Sequence, residues 1–302
     1  MLNIESDIQQ EDAFESERSN PLSLLDMMLN PGAVANIYLR YCIIQVHRDN
    51  LIEDSLNILS DPHLNFKKEL KVKFIGEQGV DAGGVAKEFF QLIVKNIFDP
   101  SYSMFNYNQE TRTYWFNSET FEPPIKFELI GLIIGLALYN SVILDIHFPR
   151  VVYKKLLEAE WNMEDLHDFS PSIAKSIEHI INYKEEDLEE VFACTFSVDV
   201  ESYGNKKTIE LIPGGASVYI TQENKEMYAK KYMEWLFDKS IEPLFASFKK
   251  GFYKLYNGEF TTNCYPEELE LMICGSPVLD FLALERNTTY EGGYYKNSPI
   301  IK

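Results

Sequence analysis

A cysteine thiol becomes a nucleophile once ionised, and the chain carries four: Cys42, Cys194, Cys264 and Cys274. They are widely spread and form no Cys-x-x-Cys pair. Their contexts are Tyr41-Cys42-Ile43, Ala193-Cys194-Thr195, Asn263-Cys264-Tyr265 and Ile273-Cys274-Gly275. Three of these sit in apolar text, which predicts buried, inert thiols. The five histidines, His47, His63, His147, His167 and His179, lack zinc-ligand spacing, so neither a metal site nor a cofactor is expected. With no secretory signal visible, reduced thiols in a cytosolic or nuclear protein are the expectation.

A second chemistry is suggested by residues 70–98, LKVKFIGEQGVDAGGVAKEFFQLIVKNIF. Leu70, Val72 and Phe74 alternate with Lys71 and Lys73 as in a strand with one buried face. Gly76, Gly79, Gly83 and Gly84 make a loop. Val85, Phe89, Leu92, Ile93 and Ile97 then recur at helical spacing. Strand, glycine loop and helix could cradle a phosphate. However, neither Gly-x-x-x-x-Gly-Lys-Ser/Thr nor Gly-x-Gly-x-x-Gly is present, and Glu77 and Asp81 would repel the anion. The loop reads as a structural turn whose acids cap the following helix.

The run GEQGVDAGGVAKEFF over residues 76–90 closely resembles the signature early in the HECT domain of ubiquitin-protein ligases. Later stretches resemble that family in the same order. They are Leu144-Asp145-Ile146-His147-Phe148-Pro149, Pro266-Glu267-Glu268-Leu269-Glu270-Leu271-Met272-Ile273-Cys274-Gly275, and Tyr290-Glu291-Gly292-Gly293-Tyr294. The resemblance covers residues 41–302. It implies an α+β, mainly α fold: the N-terminal lobe of a HECT domain, with a large helical subdomain and a small inserted α/β subdomain.

The elements that must position a site follow from pattern. A chain of 302 residues, 45% hydrophobic and 14% aromatic, can bury a substantial core. The 47 acidic against 28 basic residues give a net charge of −19, which disfavours nucleic-acid and anionic-membrane partners and suits a basic one. Residues 1–20 read as an acidic mobile tail. Helices are expected over 21–28 and from Ala33 to about Gln45, and strands around Met104-Phe105 and Tyr114-Trp115-Phe116. The apolar stretch 127–148 carries Gly131 and Gly135 as Gly-x-x-x-Gly. Its uninterrupted part is about half of what a bilayer requires, and Glu128, Asn140 and Asp145 flank or interrupt it. It reads as a core helix whose glycines admit a close neighbour.

Residues 158–238 differ in texture and read as the small subdomain, with 21–157 and 239–302 forming the large one. Ile173, Ile177, Ile180 and Ile181 lie at i, i+4, i+7 and i+8 of one helix. A strand is expected over Val191 to Val198 and a partner strand around Thr208 to Ile212. A helix capped by Thr221 should follow, carrying Tyr228, Tyr232, Trp235 and Leu236.

In the family, ubiquitin passes from a conjugating enzyme to a ligase cysteine in a Thr-Cys-Phe context on a C-terminal lobe, then to a substrate lysine. None of the four cysteines here has that context. The chain ends at Ile300-Ile301-Lys302, about where the hinge to that lobe would begin, so the nucleophile is expected beyond Lys302 and the chain alone is expected to be inactive. The resemblance assigns to Ile173, Ile177, Ile180, Tyr183, Phe192, Cys194 and Tyr228 the groove that grips the conjugating enzyme. From pattern alone such a stripe reads as core, and Ile181 is assigned there. The implied partners are a conjugating enzyme carrying ubiquitin as a thioester, ubiquitin itself, and a protein substrate. Two alternatives stand beside this reading. One is a naturally short, non-catalytic adaptor or decoy for conjugating enzymes; the other is a divergent lobe whose groove has drifted.

Overall fold

The computed structural model describes residues 41–61, 64–77, 83–202, 204–256, 259–276 and 280–290. The acidic tail, the helix expected over 21–28, most of the glycine loop and the glycine pair of Tyr290-Glu291-Gly292-Gly293-Tyr294 lie outside them.

The described chain opens with a strand, β1 (Tyr41–Val46), where the second helix was expected to continue. Cys42, Ile44 and Val46 alternate inward, a period that a helix would scatter around its surface. Helix α1 (Leu51–Leu59) carries the chain across to β2 (Glu69–Phe74), which pairs in parallel with β1. After the glycine loop comes α2 (Gly84–Ile97). Asp81 lies outside the described residues, and Glu77 does not cap the helix. Its N-cap is Gly83 at φ 97°, a left-handed conformation that glycine adopts freely. Glu77 instead takes Arg48 Nε and Nη2 at 2.7 and 2.9 Å, while Arg48 Nη1 reaches Glu88 at 2.7 Å. A guanidinium fork on two carboxylates thus ties the loop to α2.

The hairpin β3 (Phe105–Asn108) and β4 (Thr113–Phe116) leads into α3 (Pro124–Tyr139). Every residue from Phe127 to Ala137 of α3 is buried. It is the central helix of the core, and among the described residues no helix is long and apolar enough to cross a membrane. Its lateral neighbour is α9 (Glu242–Phe252), reached after α4 (Arg150–Leu156), α5 (Met163–Phe169), α6 (Pro171–Asn182), α7 (Leu188–Phe192), β5 (Ser197–Ser202), β6 (Asn205–Glu210) and α8 (Lys225–Phe237). Short helices α10 (Glu259–Asn263), α11 (Pro266–Cys274) and α12 (Phe281–Asn287) follow. The fold is α+β and mainly α, with three separate two-stranded sheets among the described residues.

Three local expectations change within residues 158–238. Val191 and Phe192 belong to α7, not to a strand; Leu188 anchors that helix in the core and Ala193, at φ 46°, ends it. The hairpin is β5 with β6, so the strands lie at 197–202 and 205–210. Helix α8 starts after Asn224, and Thr221 does not cap it: the Thr221 backbone N–H donates to Asn224 Oδ1 at 2.8 Å.

Candidate functional site

Helix α6 begins cleanly because Ser170 Oγ accepts from the Ile173 backbone N–H and Pro171 occupies its first position. Its aliphatic stripe divides in three. Ile177 and Ile180 are inside, 3% and 6% exposed. Ile173, a turn nearer the start, is half-buried. Ile181 packs partly against the core on another side, where it lines a cleft with Trp161, Met163, Met227 and Met233.

The chain leaves α6 in an extended conformation at Tyr183, whose carbonyl oxygen accepts from Lys225 Nζ at 2.6 Å and Gln222 Nε2 at 3.2 Å. These bonds tie the end of α6 to the start of α8. The Tyr183 hydroxyl donates to Asp187 Oδ1 at 2.7 Å, and this bond to a carboxylate raises the phenol pKa. Its ring stands edge-on to Phe192 at 5.3 Å, and the His179 ring lies 5.2 Å from Phe192. Tyr183, Phe192 and His179 form one aromatic patch on the outer face.

Ala193, at φ 46°, then turns the chain into Cys194. Cys194 Sγ lies 3.1 Å from the Phe192 carbonyl oxygen, and the Ile220 N–H donates to the Cys194 carbonyl. Tyr228, 7% exposed, packs edge-on to Phe196 at 5.5 Å. Burial raises its phenol pKa, with Tyr232 and Cys194 adding smaller contributions. Of the seven residues named from sequence, Ile173, Tyr183, Phe192 and Cys194 are therefore half-exposed, while Ile177, Ile180 and Tyr228 are buried.

Sequence reasoning missed His179, Val191 and Tyr219. Val191, next to Phe192 on α7, is 54% exposed, and Tyr219, which bridges to Thr195, is 48% exposed. His179 precedes Ile180 on α6, and its ring contacts to Phe192 and Tyr183 mark it. Glu185, Glu186, Asp187, Glu189 and Glu190 are exposed beside the aromatics and give this rim negative charge.

Three of the four thiols are held in the protonated form by burial. Burial pushes Cys42 and Cys274 up to about 11, and raises Cys264 as well. Among the described residues no group of three His, Cys, Asp or Glu side chains is arranged to hold a metal ion.

The HECT-domain (ubiquitin-transferase) sequence profile matches residues 91–302. The chain belongs to that family. It is 40% identical over 261 residues to the probable E3 ubiquitin-protein ligase HERC4 of Mus musculus, covering 86% of this chain and 25% of that protein. It is 36% identical over 303 aligned positions to the human probable E3 ubiquitin-protein ligase HERC3, covering 100% of this chain and 28% of that protein. Against the probable E3 ubiquitin-protein ligase HECTD2 of Mus musculus the values are 38% over 273 positions, 86% and 35%. The HECT chain described here thus spans between a quarter and about a third of the length of these relatives.

Proposed function

We propose that this HECT chain docks a ubiquitin-charged conjugating enzyme and presents its thioester to a ligase cysteine, from which ubiquitin passes to a substrate lysine. Residues 158–238 act as the small, partner-binding subdomain on a large subdomain built from 21–157 and 239–302. The observation that carries this reading is the division of the seven groove residues. Ile173, Tyr183, Phe192 and Cys194 are half-exposed, and Ile177, Ile180 and Tyr228 are buried. A rigid apolar floor under a partly exposed aromatic rim is what a small, transient interface needs to seat one apolar anchor from its partner. The acidic rim steers a basic partner into place.

The receiving cysteine is none of the four in this chain. A thiol held near 11 offers too little thiolate at neutral pH, which applies to Cys42 and Cys274. Cys194 serves the groove itself, and burial raises Cys264. Titration with purified conjugating enzymes tests the docking. Incubation with the charged enzyme, followed by a search for a reducible ubiquitin adduct, tests the assignment of the thiols.

A further inference from the structure

Helix α8 runs from the groove to the neck of the small subdomain. Tyr228 lies near its start and Asp238 caps its end, ten residues on. That is a rigid spoke of about 15 Å. At the neck, Asp238 Oδ2 accepts from the Trp161 indole N–H at 2.9 Å, and Asp238 Oδ1 pairs with Lys155 Nζ. Trp161 belongs to the chain segment leading into the small subdomain, Asp238 to the segment leading out, and Lys155 to α4 of the large subdomain. One carboxylate therefore joins both legs of the neck to the body. Lys155 is itself held, its ammonium lying 4.8 Å from the centre of the Phe245 ring on α9.

The surroundings show what this junction controls. On one side Phe237, fully buried, meets Trp115, Trp161 and Phe169 edge-on at 5.9, 5.8 and 5.7 Å. On the other side a cleft of about 1450 Å³ lies between α8 and α9, floored by Trp161, Met163, Met227, Met233 and Phe245. A tilt of about 10° at the neck displaces Tyr228 by about 2.5 Å over a 15 Å spoke. Misplacement of about 1 Å costs a transfer step up to about 100-fold.

We infer that Asp238 is a positioning residue: by joining Trp161 and Lys155 it fixes the angle of α8, and with it the place at which the docked thioester is delivered. This rests on the docking reading above. Its role is geometric. The Asp238 side chain is 40% exposed, and ion pairs in such a setting add little to stability.

The test measures the angle without any partner. Nitroxides carried at Lys206 on β6 and Lys87 on α2, both exposed, report the distance between the subdomains by pulsed electron resonance. Asp238→Ala and Trp161→Phe should each broaden the distance distribution about twofold or move its mean by about 2 Å or more. Lys155→Arg should keep the parent distribution and Lys155→Met should lose it. Thermal melts should stay within a few degrees of the parent, and conjugating-enzyme affinity should change less than threefold. If Asp238→Ala does not fold, Trp161→Phe decides, because its ring keeps the contact with Phe237. A parent-like distribution in the folded variants would overturn the inference. Loss of conjugating-enzyme binding in the unmutated chain would remove the docking reading and the delivery role with it, while leaving the distance result to judge the neck.

Discussion

Gly131 of α3 and Gly251 of α9 sit against each other's backbones where the two helices cross. A Cβ at Gly131 would lie 1.8 Å from the Phe248 carbonyl oxygen, and one at Gly251 would lie 1.8 Å from that of Glu128. Backbone, not side chain, fills the contact, so neither helix can yield without moving as a whole. Gly131→Ala or Gly251→Ala should therefore destabilise by about 3 kcal/mol or more, read from denaturant midpoints at an unchanged m-value. A loss below about 1 kcal/mol in either would contradict so tight a crossing.

The same crossing carries a buried charge. Glu128 is 5% exposed, and its carboxylate takes Lys250 at 2.8 Å and Lys254 at 3.2 Å. Burial alone would raise its pKa, but the two ammonium groups outweigh that and hold it below the ordinary 4.5. A group depressed on folding contributes its stability above the unfolded pKa and loses it as pH falls through the folded one. Stability should thus decline as pH falls below about 4.5, and Glu128→Gln should flatten that limb while costing about 1–3 kcal/mol at pH 7. An unchanged pH profile in the variant would assign the acid sensitivity elsewhere.

Much of this architecture was legible in the sequence. Gly-x-x-x-Gly within an apolar run announced a helix with a close neighbour, although α9 could not be named as that neighbour until the chain was folded. The stripe on α6 was legible as periodicity. Its division was not, because periodicity says which face is apolar and not whether another element covers it: Ile177 and Ile180 are covered, Ile173 only partly. The errors were local. Tyr41 to Gln45 read as helix because the strand's partner, β2, lies beyond an intervening helix. Phe192 read as strand because a β-branched and aromatic run outweighed the helical turn that Leu188 anchors. The Arg48–Glu77–Glu88 cluster joins residues 29 and 40 positions apart, and no local pattern marks such a pair.

That division changes which substitutions test the groove. Ile177→Asp would place an unpaired charge at a position 3% exposed, and should unfold the small subdomain at a cost of about 4 kcal/mol or more rather than report on binding. Phe192→Ala and Tyr183→Ala trim the half-exposed rim and should leave the melting temperature within a few degrees of the parent. A cooperative, parent-like melt of Ile177→Asp would show that Ile177 lies on the surface.

The thiols should separate by exposure. Iodoacetamide at pH 8 should modify Cys42 at least about tenfold more slowly than Cys194, since Cys42 is buried and held near 11 while Cys194 is half-exposed. Peptide mass analysis over time reads this order directly. Equal rates would mean that β1 opens readily.

The central claim is that the rim formed by Ile173, Tyr183, Phe192 and Cys194 receives a ubiquitin-conjugating enzyme. Its most direct test is calorimetric titration of the chain with a panel of purified conjugating enzymes, alongside Phe192→Ala and Tyr183→Ala. The account predicts micromolar binding to at least one enzyme, weakened about tenfold or more in each folded variant. Binding to none, or binding that both variants retain at parental affinity, would contradict it.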